Sequence, residues 1–289
     1  MTHIRTAVFP IAGISTPFVG AAQSIPYALR PLLDRPLIQY AIDEAKQAGI
    51  ENFIFVSSTS GGALKDYVET TPEWEQTVWA RGDRAGVRAL QHKRSILCQA
   101  QPLGLGHAVR QAKPLIGDMP FAVLLPDDVI KCEKGVLAQM MHAHRYAGGH
   151  MVATMDVPRR VTHKYGILDI TKQRGRMSYV CGMVEKPCAD IAPSTAAVIG
   201  RYILNPSIFD RLDTLKPGAD GLLQLTDAIH ADIGSVPVTG YSFDGDRFDC
   251  STARGYAQAA NAFAMDPTGT GDCASRFAAE RNAQLRLVS

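Results

Sequence analysis

Apolar residues along this chain fall into two kinds of run, and their alternation is the first structural signal. Thr6–Ala12 is a near-continuous apolar stretch ending at Gly13, which is the pattern of a parallel strand buried on both faces. Pro36–Ala48 instead follows the helical period: Leu37, Ile38, Ala41, Ile42, Ala45 and Ala48 recur on one side, with proline at the start and Gly49 at the end. Strand-like Asn52–Val56, helix-like Gly62–Val68, strand-like Ser95–Gln99 and helix-like His107–Ile116 repeat the alternation. Phe121–Leu125 adds another buried-strand run, closed by Pro126-Asp127-Asp128. This pattern predicts an α/β fold with a doubly wound, mostly parallel sheet and helices on both faces.

Past about residue 150 the alternation loosens. Strand-like pieces are expected at Met151–Met155, Tyr165–Ile170, Ser178–Val184 and Val198–Leu204, and helices at Ser207–Leu212, Leu223–Ala231 and Ala253–Ala264. No Gly/Ser/Pro linker and no internal repeat divides the chain, so one continuous domain is expected over residues 1–265, its second half laying mixed strands over the ligand edge of the sheet. The tail, 266–289, carries Thr268-Gly269-Thr270-Gly271-Asp272 and then a charged helical stretch that docks on another subunit or frays.

Composition narrows the class. A chain of 289 residues, 46% hydrophobic and 20% charged, buries a core without needing a disulfide or metal staple. Lys and Arg number 30 against 28 Asp and Glu, a net charge of +2 with no basic cluster, which argues against a nucleic-acid partner. The six cysteines are scattered without metal-ligand spacing and read as free thiols. No apolar stretch approaches the roughly 20 residues of a membrane span, and Met1–Arg5 lead straight into the first strand with no signal-peptide pattern; a cytoplasmic location is expected.

Ligands of open α/β sheets bind outside the carboxyl ends of the strands. There the first strand runs into Ala12-Gly13-Ile14-Ser15-Thr16-Pro17, a small-residue loop that brings backbone N–H groups close to a nucleotide, although glycine-bearing turns are also common for steric reasons alone. Gln99 through His107 offers a side-chain amide suited to a base edge and two glycines at a helix start. Asp127-Asp128 at a strand tip reads either as a turn or helix cap or as a magnesium ligand.

These segments, together with others in order along the chain, resemble one family. The motifs are Asp34-Arg35-Pro36-Leu37-Ile38-Gln39-Tyr40, Pro102-Leu103-Gly104-Leu105-Gly106-His107-Ala108, Leu125-Pro126-Asp127, Tyr165-Gly166, Val184-Glu185-Lys186-Pro187, Gly200-Arg201-Tyr202, Gln224-Leu225-Thr226-Asp227-Ala228-Ile229 and Asp249-Cys250. From about Ile4 to Phe263 the chain is similar to bacterial UTP–glucose-1-phosphate uridylyltransferases, the UDP-glucose pyrophosphorylases of the nucleotidyltransferase superfamily.

The resemblance implies a Rossmann-like three-layer αβα nucleotide-diphospho-sugar transferase fold, with a nucleotide-binding half at about 1–130 and a sugar-binding half at about 131–265. It implies nucleotide contacts at Ala12, Gly13, Thr16, Gln99 and Gly104, sugar contacts at Gly166, Glu185, Lys186 and Gly200, and a magnesium site at Asp127 and Asp249, with Asp127 and Lys186 catalytic. The implied reaction joins UTP and glucose-1-phosphate into UDP-glucose and pyrophosphate, and the family's habit implies a homodimer or homotetramer.

One loop departs from the family. Where the family reads Gly-x-Gly-Thr-Arg, then a lysine, then Ile-Pro-Lys, this chain has Gly13-Ile14-Ser15-Thr16-Pro17, then Gln23, then Ile25-Pro26-Tyr27. Two phosphate-binding cations are thus replaced by the neutral Pro17 and Gln23, and Arg30 and Arg35 are the candidates to reach in for them. Weak activity follows as one expectation. The alternative is a catalytically inactive paralogue that binds UDP-sugar or regulates an active homologue.

Overall fold

The computed structural model describes residues 4–11, 26–58, 62–69, 93–99, 101, 103–218 and 221–265; Ala12, Gly13, Thr16, Pro17, Gln23 and the tail lie outside them. In chain order the strands are β1 (Thr6–Pro10), β2 (Pro31–Leu32), β3 (Arg35–Pro36), β4 (Asn52–Ser57), β5 (Lys93–Cys98), β6 (Phe121–Leu124), β7 (Asp128–Lys131), β8 (His150–Asp156), β9 (Gly166–Arg174), β10 (Met177–Glu185), β11 (Ala196–Leu204), β12 (Val238–Ser242) and β13 (Asp246–Asp249). The helices are α1 (Leu37–Gln47), α2 (Ala63–Glu69), α3 (Leu105–Gln111), α4 (Lys113–Ile116), α5 (Val136–Ala147), α6 (Ile208–Thr214), α7 (Leu225–Asp232) and α8 (Ala253–Ala264). None of these helices is long and apolar enough to cross a membrane.

Nine strands make one mixed sheet in the order β5-β4-β1-β6-β11-β8-β12-β10-β9. β5, β4, β1 and β6 are parallel, as the early β-α alternation predicts. Of the later pairings β12–β8 is parallel, whereas β11 runs antiparallel to β6 and β8, and β10 to β9 and β12. The unbroken apolar runs have a direct cause. Along β1, Val8 enters a core with Val123, Phe209 and Leu225, while Ala7 and Phe9 enter a second core with Ile38, Phe53, Leu137 and Met140. Helices α3, α6 and α7 cover the first face and α1, α2 and α5 the second, so both faces of the strand demand apolar side chains.

Some elements escape the sequence pattern. The helix expected at His107–Ile116 starts two residues earlier and breaks at Ala112, where Pro114 enters the first turn of α4 and has no N–H to continue the ladder. Helix α5 was not anticipated, because its buried Val136, Leu137 and Met140 make a narrow stripe between polar residues. Strands β7, β12 and β13 are four or five residues long, too short to establish a period, and β7 and β13 form a separate two-stranded ribbon.

Candidate active site

The four parallel strands all point their carboxyl ends at one edge, so Ile11, Ser58, Gln99 and Leu125 leave the sheet side by side. Antiparallel β11 begins at this edge, and its Ala197 pairs with Ile167 of β9, which brings the start of β9 to the same place. Three groups of residues collect there.

The first is acidic. β6 stops at Leu124, and Leu125-Pro126 turns the chain into β7: the Leu125 N–H reaches the Gly200 carbonyl at 2.9 Å and the Asp128 N–H reaches Leu125 at 3.3 Å. In the β7–β13 ribbon Asp128 stands opposite Asp249, and the Cys250 N–H donates to the Asp127 carbonyl at 2.8 Å. Two aspartates far apart in sequence thus meet. Asp249 is oriented by the Ser251 N–H at 3.1 Å and by the Ser251 hydroxyl, and the chain then caps α8 through Thr252, whose hydroxyl accepts the Gly255 N–H at 3.1 Å. A side chain at Gly255 would place its Cβ 2.0 Å from the Asp249 carbonyl, so glycine is required for this close approach.

Charge in this corner is unbalanced. Burial, then the negative charges of Asp128 and Asp249, push the Asp127 carboxyl up to about 7, with Arg247 only partly countering them. The Asp128 carboxylate is spent on the Gly200 N–H at 2.7 Å and on Arg247, which leaves Asp127 and Asp249 as the oxygen donors in want of a cation. No cluster of three or more acidic, His or Cys ligands exists among the described residues. A hard divalent cation such as Mg²⁺, which typically takes one or two carboxylates and completes its shell with phosphate oxygens and water, fits this donor set.

The second group is the β9–β10 hairpin end. Gly166 pairs with Glu185, and a Cβ on Gly166 would lie 2.9 Å from Thr226 Oγ1 and 3.3 Å from Glu185 Oε2. Lys186 adopts a left-handed backbone with φ of 47°, donates its N–H to the Tyr165 carbonyl at 3.0 Å, and places its ammonium 3.4 Å from Glu185. A non-glycine residue held in that region costs of order 1 kcal/mol or more and marks a position the surroundings dictate. The third group joins Gln99 to Gly104. The Gln99 amide is 2% exposed; its Nε2 donates to the Gly104 carbonyl at 3.3 Å and lies 2.6 Å from His107 Nδ1. A carbonyl only accepts, so this amide nitrogen is a donor, Nδ1 is the unprotonated ring nitrogen, and Oε1 of Gln99 is left as an acceptor. Burial, with Arg110 nearby, holds the His107 pKa below its ordinary value, in keeping with the neutral ring. Gly104, with φ of 101°, lets the loop press on Leu223, which is bonded to Leu103 and Gly106 at 2.8 Å.

Tyr202 borders the first two groups: after burial, the charges of Asp128, Glu185 and Asp127 raise its phenol well above the ordinary range. Gly200 packs against the acidic turn, with no room for a Cβ beside Asp128 and Leu125, both 2.7 Å away. Tyr27, where the family has a lysine, is half-buried beside Asp127 with its hydroxyl on the Pro10 carbonyl at 3.2 Å. Arg35, a candidate to replace a lost cation, is held by Asp34 and Asp43, each at 3.2 Å, and lies over Tyr40. Arg30 is only 7% exposed, with its charge acting on Tyr256. Arg247, Tyr165 and Thr226 also border these groups, unexpected from the sequence although Tyr165 and Thr226 lie inside family motifs.

A sequence model of the nucleotidyl transferase family matches residues 22–264. The UTP–glucose-1-phosphate uridylyltransferase of Komagataeibacter xylinus is 43% identical over 255 residues, 86% of this chain and 90% of that protein. The chain belongs to this family. The uridylyltransferase of Staphylococcus haemolyticus (strain JCSC1435) is 38% identical over 273 residues, 92% of this chain and 95% of its own. Among solved structures, a UDP-glucose pyrophosphorylase complexed with UDP-glucose superposes with a TM-score of 0.82 at 36% identity, covering 90% of this chain and 98% of that one. The UTP-bound enzyme from Acinetobacter baumannii gives 0.79 at 32% identity, covering 96% and 99%. The nucleotidyltransferase fold expected from the motifs is therefore the fold of the chain.

Proposed function

We propose that this chain transfers a uridylyl group: a phosphate oxygen of glucose-1-phosphate attacks the α-phosphorus of UTP, the bond to the β-phosphate breaks, and UDP-glucose and pyrophosphate result. The observation that carries the reading is the meeting of Asp127, Asp249 and the Gly166–Glu185–Lys186 hairpin end at the carboxyl edge of the sheet in a member of this family.

Such a transfer depends on positioning and on neutralising charge, because the protein forms no covalent bond to the phosphoryl group. Asp127 and Asp249 would hold Mg²⁺, which when bound neutralises charge on the triphosphate. The loop of Ala12, Gly13 and Thr16 and the pair Gln99 and Gly104 take the nucleotide, and Gln99 Oε1 accepts from a pyrimidine N3–H. Gly166, Glu185 and Gly200 form the sugar side, and Lys186 holds the sugar phosphate. Within this proposal the chain is a cytoplasmic enzyme of one domain, residues 1–265, acting as a homodimer or homotetramer without nucleic acid or membrane.

The reading as an inactive paralogue finds no support in relatives named for the activity at 36–43% identity. The test is pyrophosphate release by the purified protein with magnesium, UTP and glucose-1-phosphate. Release above buffer is expected, and none at micromolar protein overturns the proposal. Because an arginine at a transferring phosphoryl group is worth about 10³–10⁵ in rate, the double change Pro17→Arg with Gln23→Lys is expected to raise turnover, by less than that product because residues acting as a unit are not additive.

A further inference from the structure

One guanidinium ties the acidic corner to the hairpin end. Arg247 lies on β13 two residues before Asp249, with its side chain 11% exposed. Its Nε donates to Asp128 Oδ1 at 2.5 Å, and Nη2 pairs with the same oxygen and stands 3.9 Å from Asp249 Oδ2. Nη1 donates to the Tyr165 hydroxyl at 3.0 Å, and the guanidinium lies over the Tyr165 ring, 5.4 Å from its centroid. Tyr165 in turn anchors the hairpin, since its carbonyl takes the Lys186 N–H and the next residue is Gly166. A lysine could not make this connection, because a single ammonium has no planar fork with which to hold Asp128 and Tyr165 in fixed directions.

We infer that Arg247 is a positioning residue with two separable duties: through Tyr165 it sets where the sugar-side hairpin stands relative to Asp127 and Asp249, and its fixed charge limits how tightly those carboxylates take a divalent cation. The inference rests on the proposed uridylyl transfer at this site. The two duties carry opposite signs. Removing a positive charge beside two carboxylates strengthens their attraction for a cation, whereas removing the Tyr165 tether loosens the sugar side. A role in folding alone would weaken both.

The experiment is calorimetric titration with Mn²⁺ of the full chain, combined with KM values for glucose-1-phosphate and UTP from pyrophosphate release, in the wild type, Arg247→Gln, Arg247→Lys and Tyr165→Phe, each checked for a cooperative melt. Arg247→Gln is expected to bind Mn²⁺ about tenfold tighter and to raise the KM for glucose-1-phosphate about tenfold, with the KM for UTP unchanged. Arg247→Lys keeps Mn²⁺ binding near wild type yet raises the sugar-phosphate KM. Tyr165→Phe does the same by about threefold or more. Weaker Mn²⁺ binding in Arg247→Gln, a parallel rise in both KM values, or variants indistinguishable from wild type would each overturn the inference. A wild-type protein that binds Mn²⁺ but neither substrate would instead remove the uridylyl-transfer reading, and the inference with it.

Discussion

Two arginines grip the same turn, one through its carbonyls and the other through a carboxylate, and they are built differently. Arg201 is 1% exposed: it pairs with Glu44 through Nε and Nη2 at 2.9–3.2 Å and donates to the carbonyls of Leu125, Gly200 and Asp128 at 2.9–3.0 Å. Glu44 also accepts the Leu137 N–H at 2.9 Å, so both charges are satisfied within the protein. Arg247 holds the Asp128 carboxylate of that turn but stands 3.9 Å from Asp249, and Asp127 beside it has its carboxyl pushed up to about 7. The satisfied pair is scaffold. The corner with surplus negative charge is where an added cation would lower the free energy, and that difference separates structure from site more clearly than residue type does.

Breaking the scaffold should have the largest effect. Arg201→Ala leaves Glu44 buried and unpaired and is expected to cost about 3–5 kcal/mol, read from chemical denaturation. Replacing both partners, Glu44→Leu with Arg201→Met, should not recover the loss as buried pairs often do, because the Leu137 N–H would lose its acceptor and the carbonyls of Leu125, Gly200 and Asp128 would each lose a donor, at roughly 1–3 kcal/mol for a group left orphaned. Recovery to wild-type stability would show that the carbonyl contacts contribute little.

On the other side of the comparison, Asp127→Asn and Asp249→Asn should lower kcat/KM for uridylyl transfer by about 10²–10³, while the melting temperature of Asp127→Asn holds or rises because repulsion among Asp127, Asp128 and Asp249 is relieved. A variant that instead melts early would place Asp127 with Arg201 as scaffold.

The smallest effect concerns a third buried charge set. His150 donates to Asp232 at 2.8 Å, and Asp232 also accepts from Ser207 at 2.5 Å and Arg211 at 2.9 Å. Burial lowers the His150 pKa, with Asp232 pushing back; Asp232 is opposed by its own burial but lowered by its three donors. Both groups therefore bind protons more readily when unfolded. The stability this set contributes should be full above about pH 6.5, decline as His150 is forced to charge below it, and fall again in the carboxylate range, whereas the raised Asp127 carboxyl acts in the opposite direction up to about pH 7. Denaturation midpoints of the wild type and of His150→Gln at pH 8, 6 and 5 check this, since the difference between the two isolates the His150 share and should shrink as the pH falls.

How much of this was legible depends on the range of the interactions. β1, β4 and β6 could be placed because burial on both faces imposes local apolar runs, and the order of the motifs carried the family. Gln99 with Gly104 and Gly166 with Glu185 were legible as motif pairs, and the structure brings each pair together. The Asp128–Asp249 register was not, because β7 and β13 are short, partly exposed ribbon strands with no period of their own. Arg247 was missed for the same reason: its partner Asp128 is 119 residues away and nothing local in Gly245-Asp246-Arg247-Phe248 announces the contact.

By itself the sequence determined the parallel part of the sheet, the helices on its two faces and the set of residues that mark the family, since these follow from local apolar patterning and ordered motifs. Only the tertiary structure decided which carboxylate is spent and which is left over. Asp127 and Asp128 are neighbours of identical chemistry, and they differ because the fold delivers the Gly200 N–H and Arg247 to one and further negative charge to the other.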